Sequence, residues 1–156
     1  MSLKILFLYP LIFLSLYAGS VSSYVNIGAN SSAVDSQRGS GFGISYGAFV
    51  VWKSGVFAAF DFGYAQADID NDTVNNYGGD LKLGYSYRDV ALYLIGSGIE
   101  QSCFGTESAG FGYGGGIEYI PFKHIGFGFD YKVYSMVSSK REYDFEVRKG
   151  YLKILF

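Results

Sequence analysis

Between Gly110 and Val133 the chain reads GFGYGGGIEYIPFKHIGFGFDYKV, and every second residue falls into one of two sets. Phe111, Tyr113, Ile117 and Tyr119, then Ile125, Phe127, Phe129, Tyr131 and Val133, form one row. Gly112, Gly114, Gly116 and Glu118, then Gly126, Gly128, Asp130 and Lys132, form the other. Side chains alternate across a β-strand, so a period of two over this length specifies strands and excludes a helix. The Pro-containing connector between the runs makes them an antiparallel hairpin. If Tyr119 pairs with Ile125, Gly114 falls opposite Asp130 and Gly112 opposite Lys132.

The same period yields eight segments in all: Tyr24 to Asn30, Gly41 to Trp52, Val56 to Ala65, Tyr77 to Arg88, Val90 to Glu100, the two of the hairpin, and Asp144 to Phe156. In the fifth, Tyr93, Ile95 and Ile99 share a row while Leu92 and Leu94 lie on the other, so its faces are ambiguous. In the eighth, Phe145 and Val147 are out of phase with Leu152, Ile154 and Phe156, which predicts a bulge near Arg148 to Gly150. Connectors alternate between short ones (53–55, around Asp89, 120–124) and longer polar stretches (31–40, 66–76, 101–109, 135–143). An even strand number with short turns at one end and longer loops at the other describes a transmembrane barrel with both termini on the short-turn, periplasmic side.

A soluble barrel with an apolar interior shows the same alternation, so composition decides which face is out. Only 17% of residues are charged and 19% are aromatic, whereas a small soluble domain carries about a quarter to a third charged residues on its surface. Aromatics mark both ends of the apolar row: Trp52, Tyr85, Tyr87, Tyr93, Tyr119 and Phe156 at one level, Phe42, Tyr64, Tyr77, Phe111 and Phe145 at the other. Two such girdles are the interfacial signature of a membrane barrel, and only closure satisfies strand backbones in lipid. The expectation is an all-β, eight-stranded antiparallel up-and-down transmembrane β-barrel, apolar outside and glycine-rich inside.

The N-terminus adds Lys4, an apolar run from Ile5 to Tyr17 and small residues Ala18, Gly19 and Ser20. This reads as a secretory signal peptide over 1–20, with cleavage between 18 and 23, leaving 21–156 as the barrel domain; the run is too short for a spanning helix. Loss of the leader removes one basic residue, Lys4, and no acidic one, for a mature net charge of −3, which offers no footprint for nucleic acid. Cys103 is the only cysteine, so no internal disulfide forms.

The inward rows carry Asp61, Asp80, Glu118 and Asp130 against Lys82, Arg88, Lys132 and Lys153. Buried charges need partners, and adjacent strands bring Asp61 beside Lys82, Glu118 beside the strand of Lys132, and Lys153 beside the strand of Asp130. An internal ion-pair network is expected, packing a lumen only wide enough for side chains. An open diffusion pore is not.

The segments 77–98 (YGGDLKLGYSYRDVALYLIGSG) and 110–135, with the closing YLKILF, resemble the small outer-membrane β-barrel family of the OmpA/OmpX type, including opacity-like and "porin family" surface proteins. The resemblance covers nearly all of the mature chain. It implies the bacterial outer membrane, contact with outer-membrane lipid and lipopolysaccharide, and passage through periplasmic chaperones and the barrel-assembly machinery. In the family the closing strand is the signal that machinery reads, and Leu152, Ile154 and Phe156 match it. Members serve as adhesins, envelope-stabilising proteins and small channels; a peptidoglycan-binding domain after Phe156 is not expected.

Other motifs carry less. The glycines of 110–116 alternate within a strand, whereas a dinucleotide loop joins a strand to a helix. Asp68, Asp70 and Asp72 copy the start of an EF-hand, but Thr73 and Gly79 stand where its glycine and closing glutamate belong. Some small barrels modify lipid A, and such chemistry needs a nucleophile and a base. The one histidine, His124, sits in a periplasmic turn, remote from that substrate. The expected role is non-enzymatic, without metal or cofactor: a barrel anchoring four surface loops for structural or adhesin-like work, with an unidentified surface ligand. A narrow or gated small-solute channel is the alternative. Deleting Phe156 is expected to impair outer-membrane insertion, read by heat-dependent gel mobility of membrane fractions, while synthesis and export persist.

Overall fold

The computed structural model describes residues 20–34, 37–69, 72–103, 106–139 and 142–156. All of the expected leader except Ser20 lies outside them. Eight strands follow in order: β1 Ser20–Val34, β2 Gln37–Val51, β3 Val56–Ile69, β4 Asp72–Tyr87, β5 Val90–Cys103, β6 Thr106–Phe122, β7 Ile125–Ser138 and β8 Glu142–Leu155. Each pairs antiparallel with its sequence neighbours, and β8 closes on β1 from Tyr24↔Leu155 to Val34↔Phe145. The backbone of Phe156 extends the seam through two hydrogen bonds with Ser23, of 3.1 and 3.3 Å. Every strand therefore has two partners, which removes the edges that lipid cannot solvate.

The apolar row faces out. Phe111 and Leu94 are 84% and 74% exposed, and Phe42, Tyr77, Leu81, Leu83, Tyr85 and Phe127 share that surface. On a closed barrel this belt is a surface for acyl chains. Two aromatics expected in it point inward instead: Tyr93 is 5% exposed and Phe145 is fully buried. In β5 the outward row is Leu92 and Leu94, continued by Gly96 and Gly98, while Ala91, Tyr93, Ile95, Ser97 and Ile99 face the lumen. In β8 the register against β7 is continuous from Ile125↔Ile154 to Val137↔Glu142, so the bulge expected near Arg148 to Gly150 is not formed. Phe145 and Val147 are out of phase with the lipid-facing row because they fill the upper lumen.

The irregularity lies elsewhere, in β6 between Tyr119 and Phe122, where the ladder steps from Tyr119↔Phe127 to Phe122↔Ile125. One extra residue beside Pro121 is taken up there, as a proline that cannot donate to the ladder allows. With the turn closing tightly on Lys123-His124, the pairing is two residues away from Tyr119 with Ile125: Gly116 faces Asp130 and Gly114 faces Lys132. A two-residue slip preserves faces, so the glycine row still opposes the charged row.

The longer polar stretches are mostly strand, a second correction. Strands of 14–17 residues exceed the roughly 9–11 that cross a bilayer. Their polar ends, such as Ser31 to Val34 and Gln37 to Ser40, continue the ladder above the apolar belt. Ser, Asn and Asp look like loop residues in a sequence, but neighbouring strands satisfy their backbones as well as any others. At the opposite end the turns are tight: Trp52 to Gly55 closes with Gly55 at φ 86°, and the Arg88-Asp89 turn has Arg88 at φ 54°.

A Cβ added at Gly114 would meet the Tyr131 carbonyl oxygen and the Lys132 Cα, both backbone, whereas one at Gly96 meets nothing within 4 Å. Gly114→Leu is expected to lower the midpoint of heat-dependent gel mobility, and Gly96→Leu, on the lipid face, to leave it nearly unchanged. Equal effects at the two positions would overturn the assigned faces.

Candidate functional site

The lumen is built in tiers by the inward rows. At the short-turn end Tyr24, Phe49, Phe57 and Tyr93 stack in series, with ring centroids 5.9, 5.8 and 5.7 Å apart. Glycines opposite large side chains make this arrangement possible: a Cβ at Gly128 would run into the Tyr151 ring, and one at Gly116 into Tyr93 and Asp130.

Above the aromatic tier lies the charged one. Lys82 Nζ is 3.0 Å from Asp61 Oδ2, 3.2 Å from Asp130 Oδ2 and 3.9 Å from Glu118 Oε1. Lys153 Nζ donates to both Glu118 oxygens, at 2.6 and 2.7 Å, and lies 3.7 Å from the centre of the Tyr24 ring. Tyr151 donates to Glu118 Oε1 and Tyr93 to Asp130 Oδ1, each at 2.6 Å, and the two hydroxyls are 2.7 Å apart. Asn26 Nδ2 donates to Ser45 Oγ at 3.2 Å and Asp61 Oδ1 at 3.5 Å. Lys132 reaches across the lumen to Asp80, at 2.9 and 3.1 Å, and Asp80 also accepts from Ser97.

Seven of the eight expected lumen charges thus lie inside; Lys82 meets Asp61 as expected, while the other pairings differ. Glu118 meets Lys153 and Lys82 rather than Lys132, and Lys132 meets Asp80. Arg88 is the exception. It occupies an exposed turn, with its guanidinium 5.3 Å from the Tyr87 ring. The inward period was carried one residue too far, past the end of β4. In its place the lumen holds Lys149, opposite Asp130 and Asn30, which the expected bulge had obscured. Four carboxylates, Asp61, Asp80, Glu118 and Asp130, and four ammonium groups, Lys82, Lys132, Lys149 and Lys153, therefore face one another. Of the inward tyrosines, Tyr134 and Tyr151 share rows with Asp130, Lys132 and Lys153, whereas Tyr24 and Tyr93 lie in rows without a charge that would mark them as inward.

The third tier is an apolar cap toward the long-loop end: Val34, Ile69, Val74, Ile99, Tyr134, Met136, Phe145 and Val147 pack as one buried cluster. Beyond it Gln101 donates to Asn76 at 2.8 Å and Tyr143 to Gln101 at 2.6 Å. Charged and apolar barriers thus stand in series along the lumen.

The remaining candidates sit outside it. His124 is exposed in its turn with Nδ1 3.1 Å from the Leu155 carbonyl. Cys103 is the last residue of β5, paired with Thr106. Asp68 and Asp72 belong to strands, Asp68 accepts from Thr73 at 3.0 Å, and Asp70 is outside the described residues. Among the described residues no three His, Cys, Asp or Glu side chains gather as metal ligands would. Leu152 and Ile154 are on the lipid face of β8, and Phe156, 64% exposed, ends that row.

Among the solved structures that match this arrangement are two surface barrels. Neisserial surface protein A is 12% identical with a TM-score of 0.65, covering 89% of this chain and 99% of its own. Ail, the attachment invasion locus protein of Yersinia pestis, is 14% identical with a TM-score of 0.56, covering 86% of this chain and 98% of its own. The fold is that of a small outer-membrane barrel. No family model and no curated protein matches the chain.

Within that barrel, Lys82 carries the most electrostatic weight. Its side chain is fully buried and touches three carboxylates, and removing one partner of a buried charge cluster costs about 3–5 kcal/mol. Lys82→Met is expected to destabilise by that order in urea unfolding from detergent micelles. Lys132→Met, which frees only the partly exposed Asp80, should cost less. The reverse ranking would sink this assignment of the network's centre.

Proposed function

We propose that the chain is a non-enzymatic protein of the bacterial outer membrane, of the OmpA/OmpX-like class, whose barrel holds a polar rim at the cell surface for structural or adhesin-like contacts. The observation that carries this reading is the lumen: a charged tier spanned by Lys82 and Lys132 lies under an apolar cap, so work is left to the outer rim. The strand ends that project beyond the belt set out Arg38, Ser40, Asp68, Thr73, Glu107 and Glu142. Their spacing is held by backbone ladders, which suits a contact surface better than four mobile loops would. The names of the two similar structures, a surface protein and an attachment invasion protein, fit the same reading.

In this proposal the belt contacts outer-membrane lipid, the rim sits among lipopolysaccharide, and periplasmic chaperones deliver the chain to the barrel-assembly machinery. The outward side chains of Leu152, Ile154 and Phe156 would serve as the signal that machinery reads. Residues 1–20 would be the leader removed on export.

The channel reading draws on one observation, the eight charged side chains lining the lumen. Planar-bilayer recordings on purified protein separate the two. The structural reading expects no steady conductance; a steady current abolished by Lys132→Met would overturn it. Replacing 37–40 and 68–73 with Gly-Ser sequence should reduce surface binding of whole cells while leaving heat-modifiable mobility intact.

A further inference from the structure

Between the charged tier and the apolar cap lies a chamber of about 70 Å³, several times the space one water needs. The groups on its wall are unevenly matched. Asp61 contributes oxygens already engaged by Lys82 and Asn26. Asp80 is engaged by Lys132 and Ser97. Lys149, by contrast, reaches the chamber with one long contact, 3.4 Å to Ser45 Oγ, and makes no ion pair among the described residues. Its nearest ring, Tyr151, is 5.5 Å from the ammonium nitrogen. Asn76 spends its carbonyl on Gln101, leaving its NH2 as a further donor. Asn30, only 5% exposed, has an amide oxygen with no partner.

The charges divide in the same sense. Asp61, Glu118 and Asp130 cluster on Lys82 and Lys153, one negative charge in excess. Asp80, Lys132 and Lys149 stand above them, one positive charge in excess. Lys149 is partly buried rather than sealed off, but an ammonium held in a narrow lumen without a counter-charge is still costly, and the chamber has room to supply one. Water alone satisfies the Asn30 oxygen but leaves the excess charge in place.

We infer that the chamber is a binding site for a small monovalent anion of halide size, held by the Lys149 ammonium with Asn76 as a second donor and water against Asn30. The apolar cap closes over it, so the anion enters as the barrel forms or when the cap opens. The inference is independent of the rim's role, since it concerns only the lumen.

The test refolds the full chain in detergent with sodium bromide as the halide and locates bromide by anomalous diffraction from crystals. One peak in contact with Lys149 Nζ is expected, and none in Lys149→Met. In parallel, the midpoint of heat-dependent gel mobility is compared in bromide and in gluconate at equal ionic strength. Wild type should shift upward in bromide, and Lys149→Met should lose that shift; if it fails to fold, Lys149→Gln replaces it. Water density without anomalous signal in wild type, a peak that survives in the variant, or equal midpoints in the two salts would each overturn the site.

Discussion

The pairing of β8 with β1 is the constraint on which the rest depends. Eleven residue pairs, Tyr24↔Leu155 through Val34↔Phe145, convert a sheet with two open edges into a cylinder with none. In lipid an unpaired strand edge leaves backbone groups with no donor or acceptor, at several kcal/mol each. Closure therefore decides whether the apolar row is a viable exterior at all. It also brings distant charges together: Lys149 comes beside Asn30 only because the last strand lies against the first.

Once closed, the barrel has a lumen too narrow for water-filled passage and too polar to be filled by hydrocarbon alone. Glycines solve the geometric half of this problem, clearing space for Tyr93, Tyr151 and the lysines. The lysines and carboxylates solve the electrostatic half, since each charge brought out of water meets an opposite one or a hydroxyl. The tiered result couples rigidity to the proposed function, because a packed interior holds the outer rim in fixed register.

How much was legible in the sequence varied with distance along the chain. Within a strand the period of two was enough: Phe111 and Tyr113 outward, Glu118 and Lys132 inward, and tight turns at 53–55 and 88–89. Where both rows of a segment were apolar, as in β5, the period had no contrast to work with, and Tyr93 was placed on the wrong face. Phe145 and Val147 failed for a related reason. An apolar residue pointing inward looks out of phase until a capped lumen gives it somewhere to go. Arg88 was carried inward by counting past the turn, and the same end effect turned polar strand ends into expected loops.

By itself, the sequence determined the strand number, the alternation, the outward apolar belt and the inward complement of glycine and charge, because all of these follow from neighbours two residues apart. Only the tertiary structure decided who meets whom. The hairpin of 110–133 shows the division clearly. Its faces were readable, but the tight turn at Lys123-His124 and the extra residue beside Pro121 together moved its register by two, and Lys132 found Asp80 from across the barrel rather than a partner on β6. Pairing across a lumen depends on closure and on the summed stagger of eight ladders, which no local period encodes.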